Sequence, residues 1–188
     1  MADGTLKVGT ITTSSGSGTI TIGQSGETIN IPSGTTVSGA GANTPAFEAT
    51  ITTEQNPSAS TDTLINFDNE VFDTDSAYDT STKKFTVPSG QAGKYHFYLN
   101  ICIGSSANSG LAQCQAYIYK NGVKTTTRAI INTDSDGNGR YYGLTITTTM
   151  DLSVSDTIEI YGKGVLDSGT VEVRTDESRF GGYKVIGA

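Results

Sequence analysis

The sequence predicts an all-β protein, with a jelly-roll β-sandwich head of about ten strands that follows a short β-repeat stem. Three observations lead to this fold class. The 188-residue chain is rich in Thr and Ser and contains 23 glycines but no Trp, a composition that suits strands and tight turns. From residue 46 onward, short apolar runs alternate with turn residues. No segment has a convincing helical period.

The stem corresponds to residues 1–43. The units GTITT, GTITI and ETINI place Ile11, Ile20 and Ile29 nine residues apart. Each unit has the alternating β-branched pattern of a short strand, and the Gly-rich stretches between units allow the backbone to turn. One copy buries too little apolar surface to offset its ordering entropy, so we expect the units to stack or to pair with identical strands of other chains. A flexible Gly/Ser/Thr linker is the alternative.

The head corresponds to residues 44–188 and begins after a hinge that lacks hydrophobic periodicity. Its apolar runs are, in order, PAFEATI, TLINFDNEVF, KKFTVP, GKYHFYLNICI, AQCQAYIYKNG, RAIIN, YGLTITTTMDLSV, DTIEIYGKGV, TVEVR and RFGGYKVIGA. Turns such as NPSAS, PSGQAG and DSDGNG separate them, which is the spacing of a sandwich or jelly roll. In the run from Tyr95 to Ile103, the odd positions carry the more apolar side chains and are predicted to face the core.

The two cysteines are predicted to be free and chemically inert. Two cysteines in 188 residues is far below the density of a disulfide-stapled secreted domain. Alternation places Cys102 on the face opposite the apolar residues of its strand, whereas Cys114 falls on the inward face of its own strand. The strict geometry of a disulfide makes a bond between them unexpected.

Several motifs in the head share their order with a known family. They are Asn66-Phe67-Asp68, Tyr78-Asp79, Phe85-Thr86-Val87-Pro88 and Gly93-Lys94-Tyr95-His96-Phe97, followed by Tyr119-Lys120-Asn121-Gly122 and Phe180-Gly181-Gly182-Tyr183. Together they resemble the globular head of the complement first-component q subunit, in the tumour necrosis factor-like jelly-roll superfamily. The resemblance covers Pro45 to Ile186 and implies a homotrimer. It also implies that five aromatic side chains fill the core, namely Phe67, Phe85, Tyr95, Phe97 and Phe180.

The sequence contains few candidates for catalytic or metal-binding residues. The single histidine, His96, lies in the middle of a strand with no second histidine and no recognisable nucleophile, so we expect no catalytic residue and no enzyme activity. Calcium is the only cofactor with a candidate site: Asp134, Asp136 and Asn138 repeat the opening of a calcium loop. The twelfth position of that loop is Thr145 instead of Glu, and a hairpin turn is the alternative reading.

Composition excludes several classes of partner. The formal net charge of −7 disfavours nucleic acid and anionic lipid. No run of 18 apolar residues is present, so we expect no membrane insertion, and MADGTLKVGT has no pattern of a secretory signal.

The Ile-Thr repeat stands where the resembled family has a collagen-like tract, and the stem also looks like the start of structural proteins of marine bacteriophages.

We therefore expect a non-enzymatic virion structural protein that is located on the surface of a virus particle. It would be a phage head fibre, a capsid decoration protein or a tail fibre. Its expected partners are two further copies of the chain, capsid or tail proteins, and a host cell-surface glycan or receptor. Two alternatives stay open: a soluble lectin-like or cytokine-like trimer that binds a receptor or glycan, and a depolymerase that acts on cell-surface polysaccharide.

Overall fold

A computed structural model describes residues 9–13, 18–33, 44–133 and 139–185 of the chain. The chain divides into two compact units, Met1–Ala40 and Gly41–Ala188. The sequence analysis placed the boundary near Asn43, within a few residues of this division.

The first unit contains no strand in its described residues, 9–13 and 18–33. The expectation that the units of the Ile-Thr repeat form strands with other copies of the chain therefore stays a prediction. Ile11 and Ile29 are 57% and 58% exposed, and Ile20 is 41% exposed. The N–H and C=O groups of a short strand need the backbone of a neighbouring strand, and residues 9–13 and 18–33 contain no such neighbour.

The second unit consists of strands and connecting loops, with no helix among its described residues. Twelve strands are present there, more than the predicted ten because two of them contain only two residues. In chain order they are β1 (Ala46–Thr50), β2 (Thr63–Leu64), β3 (Asn69–Asp73), β4 (Tyr78–Asp79), β5 (Lys84–Thr86), β6 (Gly93–Ser105), β7 (Leu111–Lys120), β8 (Val123–Asn132), β9 (Tyr141–Leu152), β10 (Thr157–Leu166), β11 (Val171–Val173) and β12 (Arg179–Lys184).

The strands form two antiparallel sheets. Sheet A has the order β11–β6–β12–β1–β3, and β9 pairs with the other edge of β6. Sheet B has the order β4–β5–β10–β7–β8, and β2 also pairs with β10. Every neighbouring pair in sheet A, and three of the five pairs in sheet B, join strands that are not consecutive in the sequence, as in a jelly roll. The predicted all-β jelly-roll class is confirmed. No helix that could span a membrane occurs in the described part of the chain.

The core between the two sheets is centred on a cluster of aromatic rings. The ring of Phe47 stacks on Tyr78 and Phe85 at centroid distances of 4.9 and 5.0 Å and meets the edge of Phe180 at 5.1 Å. Aromatic contacts of this kind stabilise a core beyond the burial of their area. The five aromatic residues predicted to fill the core are each at most 1% exposed: Phe67, Phe85, Tyr95, Phe97 and Phe180.

Both cysteines are free and buried, although burial between the sheets was predicted only for Cys114. Cys114 belongs to the core cluster between the sheets. Cys102 lies outside that cluster, because its side chain projects from the opposite face of β6. Its backbone N–H donates to Ser178 Oγ at 3.2 Å, its carbonyl accepts from Arg174 N at 3.0 Å, and Glu177 lies beside its thiol. The segment that follows β11 therefore covers the outward side of β6 at Cys102.

Candidate interaction surfaces

The outer face of sheet A is the side turned away from the core. Strand pairing arranges its residues in three rows that run across β3, β1, β12, β6 and β9. The first row consists of Asn69, Thr50, Arg179, Asn100 and Thr145, and the second consists of Phe72, Glu48, Gly181, Tyr98 and Thr147. The third row does not reach β3 and consists of Ala46, Tyr183, His96 and Thr149. We call these fourteen residues the sheet A face.

A fixed hydrogen-bonded group occupies the middle of the sheet A face. Tyr98 lies over Gly181 and its hydroxyl donates to Glu48 Oε2 at 2.8 Å. Arg179 Nη1 lies 3.7 Å from the other oxygen of the same carboxylate. The pKa of Tyr98 is raised by burial and by the hydrogen bond to Glu48. The phenol therefore stays protonated and acts as a donor, which orients a half-buried aromatic ring on this face.

Most of the remaining residues of the sheet A face are aromatic or carry a hydroxyl group; the others are Ala46, Asn69 and Asn100. His96 and Tyr183 have ring centroids 5.4 Å apart, and His96 Nδ1 lies 3.2 Å from Thr149 Oγ1. Phe72 is 45% exposed at the β3 edge. Thr147 is also exposed and has no side-chain hydrogen bond within the described residues. This mixture of aromatic groups and few charges is typical of the core of a protein–protein interface.

The outer face of sheet B carries a second cluster, which the sequence analysis did not identify. Asp62 accepts hydrogen bonds from Lys124 Nζ at 2.7 Å and from the Tyr119 hydroxyl at 3.2 Å. The ring of Tyr119 stacks on Tyr161 with a centroid distance of 3.9 Å. Burial alone would raise the pKa of Asp62, but the hydrogen bond and charge of Lys124 lower it. The cluster therefore fixes the position of an ammonium group on an aromatic surface.

A buried carboxylate adjoins this second cluster. Glu159 is 2% exposed, and its Oε1 lies 3.4 Å from Lys84 Nζ. Its Oε2 has no hydrogen-bond partner within the described residues.

The sequence signal for this cluster is weak: Tyr117, Tyr119 and Tyr161 are outward positions of two alternating strands, but only the pairing of β7 with β10 brings the last two together.

The predicted calcium ligands Asp134, Asp136 and Asn138 lie outside the described residues. Among the residues that the structure describes, no three His, Cys, Asp or Glu side chains are grouped so that they could hold a metal ion. His96 is half-buried on the sheet A face, with Thr149 and Tyr183 as its neighbours. His96 therefore contacts one hydroxyl group and one aromatic ring on this face.

The comparisons with known proteins concern the second unit. The family model of the C1q domain matches residues 46–185. The globular domain of the zebrafish complement 1qA protein has 12% sequence identity, with 75% of this chain and 97% of that chain covered and a TM-score of 0.53. Murine APRIL, solved at pH 5.0, also has 12% identity, with 74% and 98% covered and a TM-score of 0.54. No curated protein matches the chain.

Proposed function

The chain belongs to the C1q domain family. We propose that it is a homotrimeric, non-enzymatic attachment or decoration protein of a virus particle; the family supports the trimer, and the stem sequence supports the particle. Domains of this family form homotrimers. In the proposed arrangement, residues 44–188 form the binding head, and residues 1–43 connect it to the capsid or tail. The protein would then be located on the virion surface.

The observation that carries the trimer is the sheet A face. Tyr98, Tyr183 and His96 are half-buried there in a single chain, whereas Phe72 and Thr147 are exposed. Packing this face against a second copy would remove aromatic and methyl groups from water, which is the main favourable term in subunit association. The charged groups at its centre, Glu48 and Arg179, already neutralise each other, so burial does not leave an isolated charge.

The particle assignment is supported by the stem. The Ile-Thr repeat exposes its isoleucines in a single chain, and three copies would offer them neighbouring strands and apolar contacts. A trimer also presents three equivalent binding sites, which increases the avidity of weak contacts with a host cell surface. These properties suit a fibre or decoration protein, in which a short stem holds a binding head away from a particle.

The trimer is tested by light scattering of the full chain after size-exclusion chromatography. We expect a mass three times the 19.6 kDa of one chain. Thr147→Lys should dissociate it, because an unpaired ammonium group would be buried on the sheet A face. Val123→Lys is the matched control, since Val123 is 67% exposed and belongs to sheet B. A monomeric parent protein, or a Thr147→Lys variant that remains trimeric, would contradict this use of the face.

A soluble trimer that binds a receptor or glycan is the second candidate. The C1q-type head is equally consistent with it. The two candidates differ in where the protein occurs. An antibody against the head should label purified virus particles under the electron microscope if the first is right. Recovery of the chain only in the particle-free fraction would favour the soluble trimer.

A further inference from the structure

A pocket of about 360 Å³ lies on the outer face of sheet B, at the edge formed by β7 and β8. Its lining residues are Tyr117, Lys124, Thr125, Thr126 and Arg128. This volume falls near the lower end of the roughly 300–1,000 Å³ that ligand pockets occupy. A space of this size suits a small ligand such as a single sugar ring.

The pocket exists because strand β8 is bulged. Tyr117 pairs with Arg128, whereas Tyr119 pairs with Lys124. Between these two pairs, one residue of β7 opposes three residues of β8, so the extra length of β8 bends away from its partner. Bulges of this kind redirect side chains. Here Lys124 and Arg128 lie on either side of the bulge.

Side-chain hydrogen bonds hold the bulge in place. Thr125 Oγ1 donates to the carbonyl oxygen of Ile118 at 2.7 Å, and the backbone N–H of Thr127 donates to Thr125 Oγ1 at 3.2 Å. The hydroxyl of Thr125 thus supplies contacts that the regular ladder would have made. Thr126, at the top of the bend, is exposed and has no side-chain hydrogen bond within the described residues.

The two basic side chains of the pocket differ in their partners. Lys124 Nζ is 2.7 Å from Asp62 and lies 3.4 Å from the centroid of the Tyr117 ring. Its charge is therefore largely neutralised and its position is fixed. Arg128 is exposed and makes no ion pair or hydrogen bond with any residue that the structure describes. The pocket consequently has one uncompensated positive charge, on a guanidinium group with five donor hydrogens.

We propose that this pocket binds the anionic group, a carboxylate or a sulfate, of an acidic sugar. A guanidinium fork matches the paired oxygens of such groups and binds them in a bidentate manner. The exposed Thr126 hydroxyl would contact the sugar ring. The net charge of −7 repels long polyanions, so the site favours a single charged residue of a glycan. The proposal rests on the proposed attachment function and names its ligand class.

The test is a titration of the full chain with glucuronic acid, glucose 6-sulfate and glucose, followed by ligand-observed NMR. We expect at least one charged sugar to bind roughly tenfold more tightly than glucose, and the two charged sugars distinguish a carboxylate from a sulfate ligand. Arg128→Ala should weaken that binding by roughly 10- to 100-fold, the usual range for losing a charged hydrogen bond. Arg128→Lys should restore part of it, because Lys keeps the charge but not the fork.

Lys163→Ala is the matched control. Lys163 is half-buried on β10 of the same sheet, does not line the pocket, and its replacement removes the same charge. It should change the affinity less than threefold. Equal binding of glucose and the charged sugars, no binding of any of the three, or equal losses in Arg128→Ala and Lys163→Ala would each overturn the proposal.

This experiment separates the pocket from the attachment function. All five lining residues belong to one chain, so sugar binding does not depend on the oligomeric state. Charged-sugar binding that depends on Arg128, found in a protein that is monomeric or absent from virus particles, would uphold the pocket and reject the virion attachment function. A trimeric particle protein that binds none of the sugars would reject the pocket alone.

Discussion

Gly181→Ala should destabilise the head strongly, because the close packing of three strands requires a residue without a side chain at this position. A Cβ atom there would overlap the phenol of Tyr98 and would lie 2.8 Å from the carbonyl oxygen of Phe47. Tyr98 could move away only by giving up its hydrogen bond to the Glu48 carboxylate. The Phe47 carbonyl belongs to the backbone of the neighbouring strand β1 and cannot move without shifting the sheet.

The expected loss of unfolding free energy has two sources: overpacking by the added Cβ atom and loss of the hydrogen bond between Tyr98 and Glu48. Overpacking costs about 1–3 kcal/mol, and loss of a hydrogen bond to a charged group costs about 1.5–3 kcal/mol. Since Tyr98 is only half-buried, we take the lower part of the second range and expect about 2–4 kcal/mol in total. With urea slopes of roughly 1–3 kcal/mol/M, the midpoint of unfolding should fall by about 1–2 M.

The assay is urea unfolding of the full chain, followed by circular dichroism at one protein concentration for all variants, because the stability of an oligomer depends on concentration. Gly143→Ala is the matched control: it lies in β9 of the same sheet, and an added Cβ would have no atom within 4 Å. Its free energy of unfolding should change by less than about 0.5 kcal/mol. Equal midpoints for Gly181→Ala and the parent protein would refute the reasoning.

Two further predictions concern titrating groups. Hydrogen bonds from Asn121 and Lys120 lower the pKa of Asp156 to about 2, below the unfolded value of about 3.9, so this stabilisation is complete above about pH 4 and is lost as the pH falls to 2. Asp156→Asn should show a smaller loss of unfolding midpoint between pH 5 and 2; an unchanged profile would contradict this. Burial raises the pKa of Cys102 and Cys114 to about 12, so iodoacetamide at pH 8 should label neither thiol in the native protein but both in urea. Native labelling at the rate of a free thiol would disprove it.

Alternation along the chain predicted much of the head. In β6, Tyr95 and Phe97 face the core and His96 and Tyr98 face outward, because a strand presents successive side chains to opposite faces whatever its partners are. The stem has a similar alternating pattern, but its described residues, 9–13 and 18–33, contain no strand in one chain. An alternating sequence indicates that a segment can form a strand. The strand forms only where a neighbouring strand is available to pair with it.

The candidate surfaces were harder to predict, since they depend on register between distant strands. The group formed by Glu48, Tyr98 and Gly181 joins three strands that are far apart in the sequence. Nothing local in the sequence indicates that this glycine lies under that tyrosine. The bulge of β8 is likewise a property of its pairing with β7, and VKTTTRAIIN alone looks like a regular strand.

The two surfaces lie on opposite sheets of the head, and this separation allows both proposals to hold together. The sheet A face would be covered in a trimer, whereas the pocket beside Arg128 lies on the outer face of sheet B. Self-association through sheet A would therefore leave the pocket open and repeat it three times. A single acidic sugar bound through one guanidinium group would bind weakly, and a trimer would convert three such contacts into avidity on a surface that displays many copies of the sugar. Disrupting sheet A with Thr147→Lys should consequently reduce cell binding while leaving single-sugar affinity unchanged.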